Sequence, residues 1–360
     1  MDRTLLYIST GSLQAGGTER VISILTSRFV KIGFNIKIFI WRSLPVFYDL
    51  PESIEIIDIP KSCKSNNILK CSLYFRKYLK ANRPKILIGF SAPFNMLTLL
   101  SSMCLGIKTI VCERNDPRCV PFKLYQRTAR NLLYYLADGI LTQTTHNKAY
   151  FHGRLYRKTE VIYNPIFLDV QYRGAALTMP SIHTIVSVAR LKKQKNQELL
   201  IRAFKTFRQS HPDYTLIIYG DGDYKERLKA MIESLNLEES VKLPGTTTHV
   251  FEEIIKADFF VLSSNFEGMP NTLIEAMCLG LPCVSTKVSG ATDLIHDGVN
   301  GYLIDIGDEE QLVEKMCILA DSPEKRMSIG KNATQLYERL NVDVISNQWL
   351  NYLKKIINEI

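Results

Sequence analysis

Residues 86–107 read ILIGFSAPFNMLTLLSSMCLGI, 22 consecutive uncharged residues between Lys85 and Lys108. About 20 apolar residues suffice to cross a bilayer, so this run decides which kind of protein the chain is. Ser91, Pro93, Asn95, Ser101, Ser102 and two glycines interrupt it. A buried strand over 86–90, a turn over 91–93 and a helix beyond fit that punctuation better than a lipid-facing helix does. The spacing therefore predicts strand, turn and helix within a soluble α/β protein.

The same unit recurs outward from this stretch. Apolar, β-rich runs precede it at 5–10, 36–41 and 54–59 and follow it at 109–112, 139–142 and 160–163. Amphipathic patterns at 19–31, 67–81 and 122–136 lie between them. The second half repeats the scheme, with strands expected at 184–188, 215–219, 241–243, 259–262, 283–285 and 302–304. Continuous apolar strands joined by helices argue for parallel sheets covered on both faces. Asn164-Pro165 and the aperiodic FLDVQYRGAALTMPS read as a linker. The expected fold class is α/β: two doubly wound, Rossmann-like domains, 1–165 and 166–340, facing across a cleft. An amphipathic helix over 341–360 would pack back on the first. Ligands of such sheets bind at the carboxyl ends of the strands.

Composition narrows the function. A chain of 360 residues, 46% hydrophobic and 22% charged, builds folded domains and excludes wholesale disorder. Eight cysteines form no CxxC pair and no Cys/His zinc spacing, and the N-terminus lacks a signal-peptide pattern. Reduced thiols in a cytoplasmic protein follow. Residues 1–170 carry 24 Lys and Arg against 11 Asp and Glu, whereas the rest carry 21 against 25. KSCKSNNILKCSLYFRKYLKANRPK, 61–85, holds eight bases interleaved with Leu73, Tyr74, Phe75, Tyr78 and Leu79. FKLYQRTARNLLYYLADG, 122–139, adds Lys123, Arg127 and Arg130 among Leu124, Leu132, Leu133, Tyr134 and Tyr135. No nucleic-acid motif accompanies the charge, so an anionic membrane surface is the expected partner, with a solvated basic face as the alternative.

Four motifs follow strands. Gly16 and Gly17 in TGSLQAGGTER allow a tight turn before a helix, with Thr18 as its cap; this is not a GxGxxG dinucleotide signature. Arg190 and Lys195 in VARLKKQKN offer a planar fork and a point charge suited to a diphosphate. YGDGD, 219–223, holds Asp221 and Asp223 at the spacing of metal–nucleotide sites. A tight turn capped by Asp223 explains them equally economically, and no further carboxylate cluster supports a metal. SNFEGMPNTLIEAM, 264–277, places Pro270 at a helix start, with Gly268, Met269, Asn271 and Thr272 around it and Glu267 in the loop before. Glu275 then falls on a helix that reads as buried nearly all round, where an acid needs hydrogen-bond partners. Ligand hydroxyls would supply them.

With these residues in view, the chain resembles family 4 of the retaining GT-B glycosyltransferases, of the capsule and O-antigen type. GGTER at 16–20, Arg190 with Lys195, Gly220-Asp221-Gly222, Glu267 with seven residues to Glu275, and the run 275–304 carry the resemblance over nearly the whole length. It implies a nucleotide-sugar donor held by the second domain, with no metal or other cofactor. Glu275 would accept the ribose hydroxyls and Glu267 those of the donor sugar. Arg190, Lys195 and the N–H groups around Met269–Thr272 would neutralise the diphosphate, Gly220 would line the donor site, and Gly16 and Gly17 would close on it. The loop 244–250 would hold the base.

One departure stands out. Many members of the family place a histidine after a first-domain strand, but VCERNDP here offers Glu113, Arg114, Asn115 and Asp116 instead, and His146 lies too far along. Arg114 and Asn115 are expected to bind donor or acceptor, or to form a structural salt bridge. A lipid-linked glycan acceptor on the cytoplasmic leaflet suits the basic, aromatic face. Two other readings stay open: a nucleotide-sugar 2-epimerase of the same plan, and a non-catalytic nucleotide-sugar-binding subunit.

Overall fold

The structure, a computed structural model, describes residues 5–14, 16–247 and 249–358. The chain forms two compact units: Met1–Phe167 with Leu340–Ile360, and Leu168–Arg339. The first unit holds a seven-stranded sheet, all parallel, in the order β3-β2-β1-β4-β5-β6-β7. Its strands are β1 Leu5–Thr10, β2 Asn35–Ile40, β3 Glu55–Asp58, β4 Ile86–Phe90, β5 Lys108–Glu113, β6 Gly139–Thr142 and β7 Thr159–Val161. The uncharged stretch 86–107 thus becomes β4, buried at every residue, a turn, and the helix Ala92–Ser102. No helix of the described residues is long and apolar enough to cross a membrane.

The helices cover this sheet because each presents an apolar stripe. Phe75 and Leu79 of Ile68–Asn82 pack with Tyr7, Phe39 and Trp41, the rings of Phe39 and Phe75 lying 4.8 Å apart. The closing helix Val342–Asn358 buries Ile345, Trp349, Leu353 and Ile356, a helical spacing. Trp349 lies 6.4 Å from the Phe29 ring and 6.1 Å from that of Phe90, both in the first unit. A Cβ at Gly139 would strike the Tyr352 hydroxyl, so a larger residue in β6 would have to push that side chain aside where the helix crosses it.

The second unit repeats the plan with six parallel strands in the order β10-β9-β8-β11-β12-β13. They are β8 Thr184–Val188, β9 Thr215–Tyr219, β10 Val241–Gly245, β11 Phe259–Leu262, β12 Cys283–Thr286 and β13 Tyr302–Ile304. Its core joins Phe204 and Phe207 of the helix Gln197–Phe207 to Leu216, Ile218, Phe259 and Val261. The chain reverses direction across each sheet at one place, between β1 and β4 and between β8 and β11. In open parallel sheets such a reversal point, at the carboxyl ends of the strands, is where ligands bind.

Candidate functional site

At the reversal point of the second unit lie the loop after β8, residues 189–196, and the loop after β11, residues 263–270. Lys195 ends a short turn, Lys193–Lys195, and its Nζ is ion-paired with Glu267 Oε1. The Ser264 hydroxyl donates to the same oxygen at 2.7 Å, and Gln194 Nε2 lies 3.5 Å from the other. Backbone contacts stitch the two loops together: Asn265 N–H to the Gln194 carbonyl at 2.8 Å, and Ser263 Oγ to the Lys195 carbonyl at 3.0 Å. From the opposite side Ser289 Oγ donates to the carbonyl of Glu267 at 3.1 Å. A Cβ added to Gly290 would come within 2.7 Å of Met269 Cα and strike the Gly268 carbonyl. Glu267, 7% exposed, is therefore held on all sides with its carboxylate against an ammonium.

The remaining donor-site expectations fall on the same edge. Arg190 is exposed just past β8, and its carbonyl accepts from Gln197 Nε2 at 3.0 Å. Pro270 is the cap of the helix Asn271–Leu279 rather than its first residue, and no side chain caps that end. The positive pole of the helix lies there, beside the half-buried Asn271 and Thr272 and the buried Met269. Glu275 is 3% exposed in a helix whose residues from Leu273 to Leu279 are all buried, so the acid does lie in an apolar run. Gly220 has a positive φ of 140°, and a side chain there would strike the Ala189 carbonyl; the glycine lets the GDG turn pack on the Arg190 loop. Asp221 Oδ1 accepts from Gly222 N–H at 2.8 Å, and Lys225 lies 3.8 Å from the same carboxylate. Asp223 is exposed and does not cap the next helix, whose cap is Tyr224. Among the described residues no three His, Cys, Asp or Glu side chains converge to hold a metal ion. Thr248 of the loop 244–250 lies outside the described residues.

The first unit corrects several expectations. Gly16 caps the helix Gly17–Lys31 with an extended backbone, so Thr18 is inside the helix. The Glu19 carboxylate folds back over Gly16 where a Cβ would sit, and Tyr48 Oη donates to the Gly16 carbonyl at 3.2 Å. Gly17 is exposed beside it. Glu113 does not project from the edge: it is 1% exposed, accepts from the Tyr134 hydroxyl and lies 3.7 Å from the Arg130 guanidinium. Burial pushes its carboxyl above the ordinary range, against the pull of Arg130 and Tyr134. Arg130 and Tyr134, read above as surface residues, have no exposed area, because the arginine lies 5.0 Å over the Tyr150 ring and donates to the Val120 and Pro117 carbonyls. Asn115 and Asp116 turn their side chains into their own loop, accepting from Asp116 N–H at 3.0 Å and Arg118 N–H at 2.8 Å. Arg114 remains at the edge, partly buried, bonded to Asn164 Oδ1 at 2.8 Å, with burial bringing its guanidinium down to about 10. His146 is exposed on the short helix Thr145–Lys148.

Sequence reasoning missed Gln194, Ser264, Ser289 and Gly290, the residues that hold Glu267 and its loop. Their signals were faint: a paired serine at the end of β11 and a Ser-Gly just past β12.

Residues 181–336 match the family of glycosyl transferases group 1. A Campylobacter jejuni relative, N-acetylgalactosamine-N,N'-diacetylbacillosaminyl-diphospho-undecaprenol 4-alpha-N-acetylgalactosaminyltransferase, is 28% identical over 95% of this chain and 97% of its own. An Escherichia coli relative, UDP-Gal:alpha-D-GlcNAc-diphosphoundecaprenol alpha-1,3-galactosyltransferase, is 25% identical over 80% of each chain. Among solved structures the Anabaena protein HepE, in complex with UDP and glucose, superposes with a TM-score of 0.80 at 20% identity over 98% of this chain and 99% of its own. By its two Rossmann-like sheets the chain has the GT-B fold, and its second unit carries the match to glycosyl transferases group 1.

Proposed function

We propose that the chain moves a hexose or N-acetylhexosamine from a nucleotide sugar, a UDP-sugar, to a polyprenyl-diphosphate-linked glycan in the assembly of a bacterial surface polysaccharide such as capsule or O-antigen. Transfer proceeds with retention and without a metal ion. The observation that carries this reading is the Lys195–Glu267 pair, held rigidly at the reversal point of the second sheet beside a helix N-terminus. Cleaving a sugar–diphosphate bond requires stabilising the charge that develops on the departing diphosphate. Lys195, Arg190 and the N-terminal pole of Asn271–Leu279 supply that stabilisation. Glu267 takes donor-sugar hydroxyls and Glu275 the ribose, and the diphosphate oxygen receives the acceptor's proton. The Campylobacter and E. coli relatives are named for undecaprenyl-diphosphate acceptors, and the latter for a UDP donor.

The acceptor's lipid gives the first unit its role, as a peripheral protein at the inner face of the cell membrane. Ile68 and Leu69 are exposed at the start of Ile68–Asn82, the second helix after β3, and Phe122, Leu124 and Tyr125 around the start of Leu124–Leu133, the helix after β5. Both sets follow strand ends, so they lie toward the carboxyl edge of the first sheet, with Lys61, Lys64, Lys70 and Lys123 nearby in sequence. Apolar tips within a basic surface suit an anionic bilayer.

The test is incubation with UDP-sugars and undecaprenyl-diphosphate-linked acceptors in anionic vesicles, with and without chelator. A glycolipid of retained anomeric configuration, formed equally in chelator, is expected. Lys195→Met is expected to lower kcat by about 100- to 1,000-fold. Epimerised donor without acceptor, or an active Lys195→Met, would overturn the reading.

A further inference from the structure

The sulfur atoms of Cys63 and Cys71 lie 3.4 Å apart in the first unit, and the function proposed above uses neither. Cys63 ends the helix Ile59–Cys63, and Cys71 lies in the first turns of Ile68–Asn82. The connection between them is closely specified. Lys64 adopts a left-handed φ of 52°, Ser65 N–H donates to the Pro60 carbonyl at 3.1 Å, and the Asn67 side chain caps the next helix through Leu69 N–H at 3.0 Å. Both thiols converge on one acceptor, the Ser65 carbonyl, at 3.1 Å from Cys71 and 3.4 Å from Cys63.

We propose that Cys63 and Cys71 are a modification site, forming a reversible intramolecular disulfide by exchange with a small-molecule disulfide such as oxidised glutathione. A disulfide bond is about 2.05 Å long, so the sulfurs must close by roughly 1.4 Å. Side-chain rotation and a turn whose residues 61–70 are mostly exposed allow that movement. The carbonyl of half-buried Ser65 exchanges its thiol donors for water. The order of steps follows from access. Cys63 is half-buried and reachable, whereas Cys71 is 3% exposed. Burial also pushes the Cys71 thiol up to about 11, with Cys63 beside it adding to the shift. The thiolate is the nucleophile in such exchange, so the reachable Cys63 reacts first.

Cys63 thiolate attacks one sulfur of the reagent and expels a small thiol, leaving a mixed disulfide. Cys71 gives its proton to water, attacks Cys63 Sγ and expels the second small thiol. Two cysteine thiols are oxidised by two electrons and one reagent disulfide is reduced by two. The ring closes across the turn that displays Lys64, Ile68, Leu69 and Lys70, so its redox state sets how rigidly that basic, apolar tip is held.

The test uses the full-length folded protein, oxidised glutathione, alkylation of the remaining thiols and peptide mass spectrometry. In the wild type the Cys63 and Cys71 peptides are expected joined, and separate again after reductant. Cys71→Ser should stop at a persistent mixed disulfide on Cys63, and Cys63→Ser should leave Cys71 alkylated only after unfolding. Recovery of wild-type Cys63 as a stable mixed disulfide, recovery of both thiols free, or pairing of either with another cysteine would each overturn the proposal. The readout is independent of sugar transfer.

Discussion

Glu113 ends β5 with its carboxylate in the interior, between the Tyr134 hydroxyl and Arg130. Because burial raises its pKa from the ordinary 4.5, the folded state holds this proton more tightly than the unfolded chain does. Its contribution to stability is therefore fully present below 4.5 and is lost as pH rises through the raised folded value. Glu113→Gln keeps an acceptor for Tyr134 and removes the titration. Melting temperature measured from about pH 5 to about pH 8 should fall more steeply in the wild type than in the variant. Parallel profiles, offset or not, would sink the argument, while an offset on top of unequal slopes reflects only the weakened partner of Arg130. At this scale the sequence was least legible. VCERNDP presents four polar residues in a row, and nothing in it tells that Glu113 points inward to an arginine 17 positions on, or that Asn115 and Asp116 turn back on their own loop. Glu275 stood out as an acid on a helix that reads as buried, whereas Glu267 and Lys195 were singled out by their place in loops that follow strands.

Elements were easier to read than partners. β1, β4, β6, β8, β9, β11 and β13 have the bounds their apolar runs suggested, since central strands of a covered parallel sheet are mostly apolar along their length. Short supporting helices were not foreseen. Ser289–Leu294 has six residues, too few for a visible period, yet its first turn presses on the loop that carries Glu267. Gly290 is the point of closest approach. In an exposed helix, Gly→Ala stabilises by about 0.5–1 kcal/mol. Here the added methyl meets the backbone of Gly268 and Met269, which cannot swing aside as a side chain would. Gly290→Ala is accordingly expected to cost about 1–3 kcal/mol by overpacking and to weaken UDP-sugar binding at least about tenfold, as read by calorimetry. An unchanged Kd would show that the loop's position does not govern the proposed donor site.

At the scale of the whole molecule, two sheets of the same construction are separated in sequence, and the chain returns to the first one at its end. The closing helix belongs to the first unit through apolar contact more than through charge. Trp349 is 2% exposed between Phe29 and Phe90, whereas the ion pairs Arg28–Asp343 and Lys355–Glu160 join side chains that are 40% or more exposed. Such surface pairs contribute about 0–1 kcal/mol. Removing a buried tryptophan costs about 3–5 kcal/mol through lost transfer energy and the cavity left behind. Trp349→Ala should therefore act on the first unit, and Arg28→Ala should barely register. Hydrogen exchange followed peptide by peptide tests this. Protection should fall in the helix Gly17–Lys31 and in β4, which carry Phe29 and Phe90, while β8–β13 keep theirs. Equal loss of protection in both sheets would mean that the helix stabilises the molecule by some route other than the Phe29–Trp349–Phe90 contact.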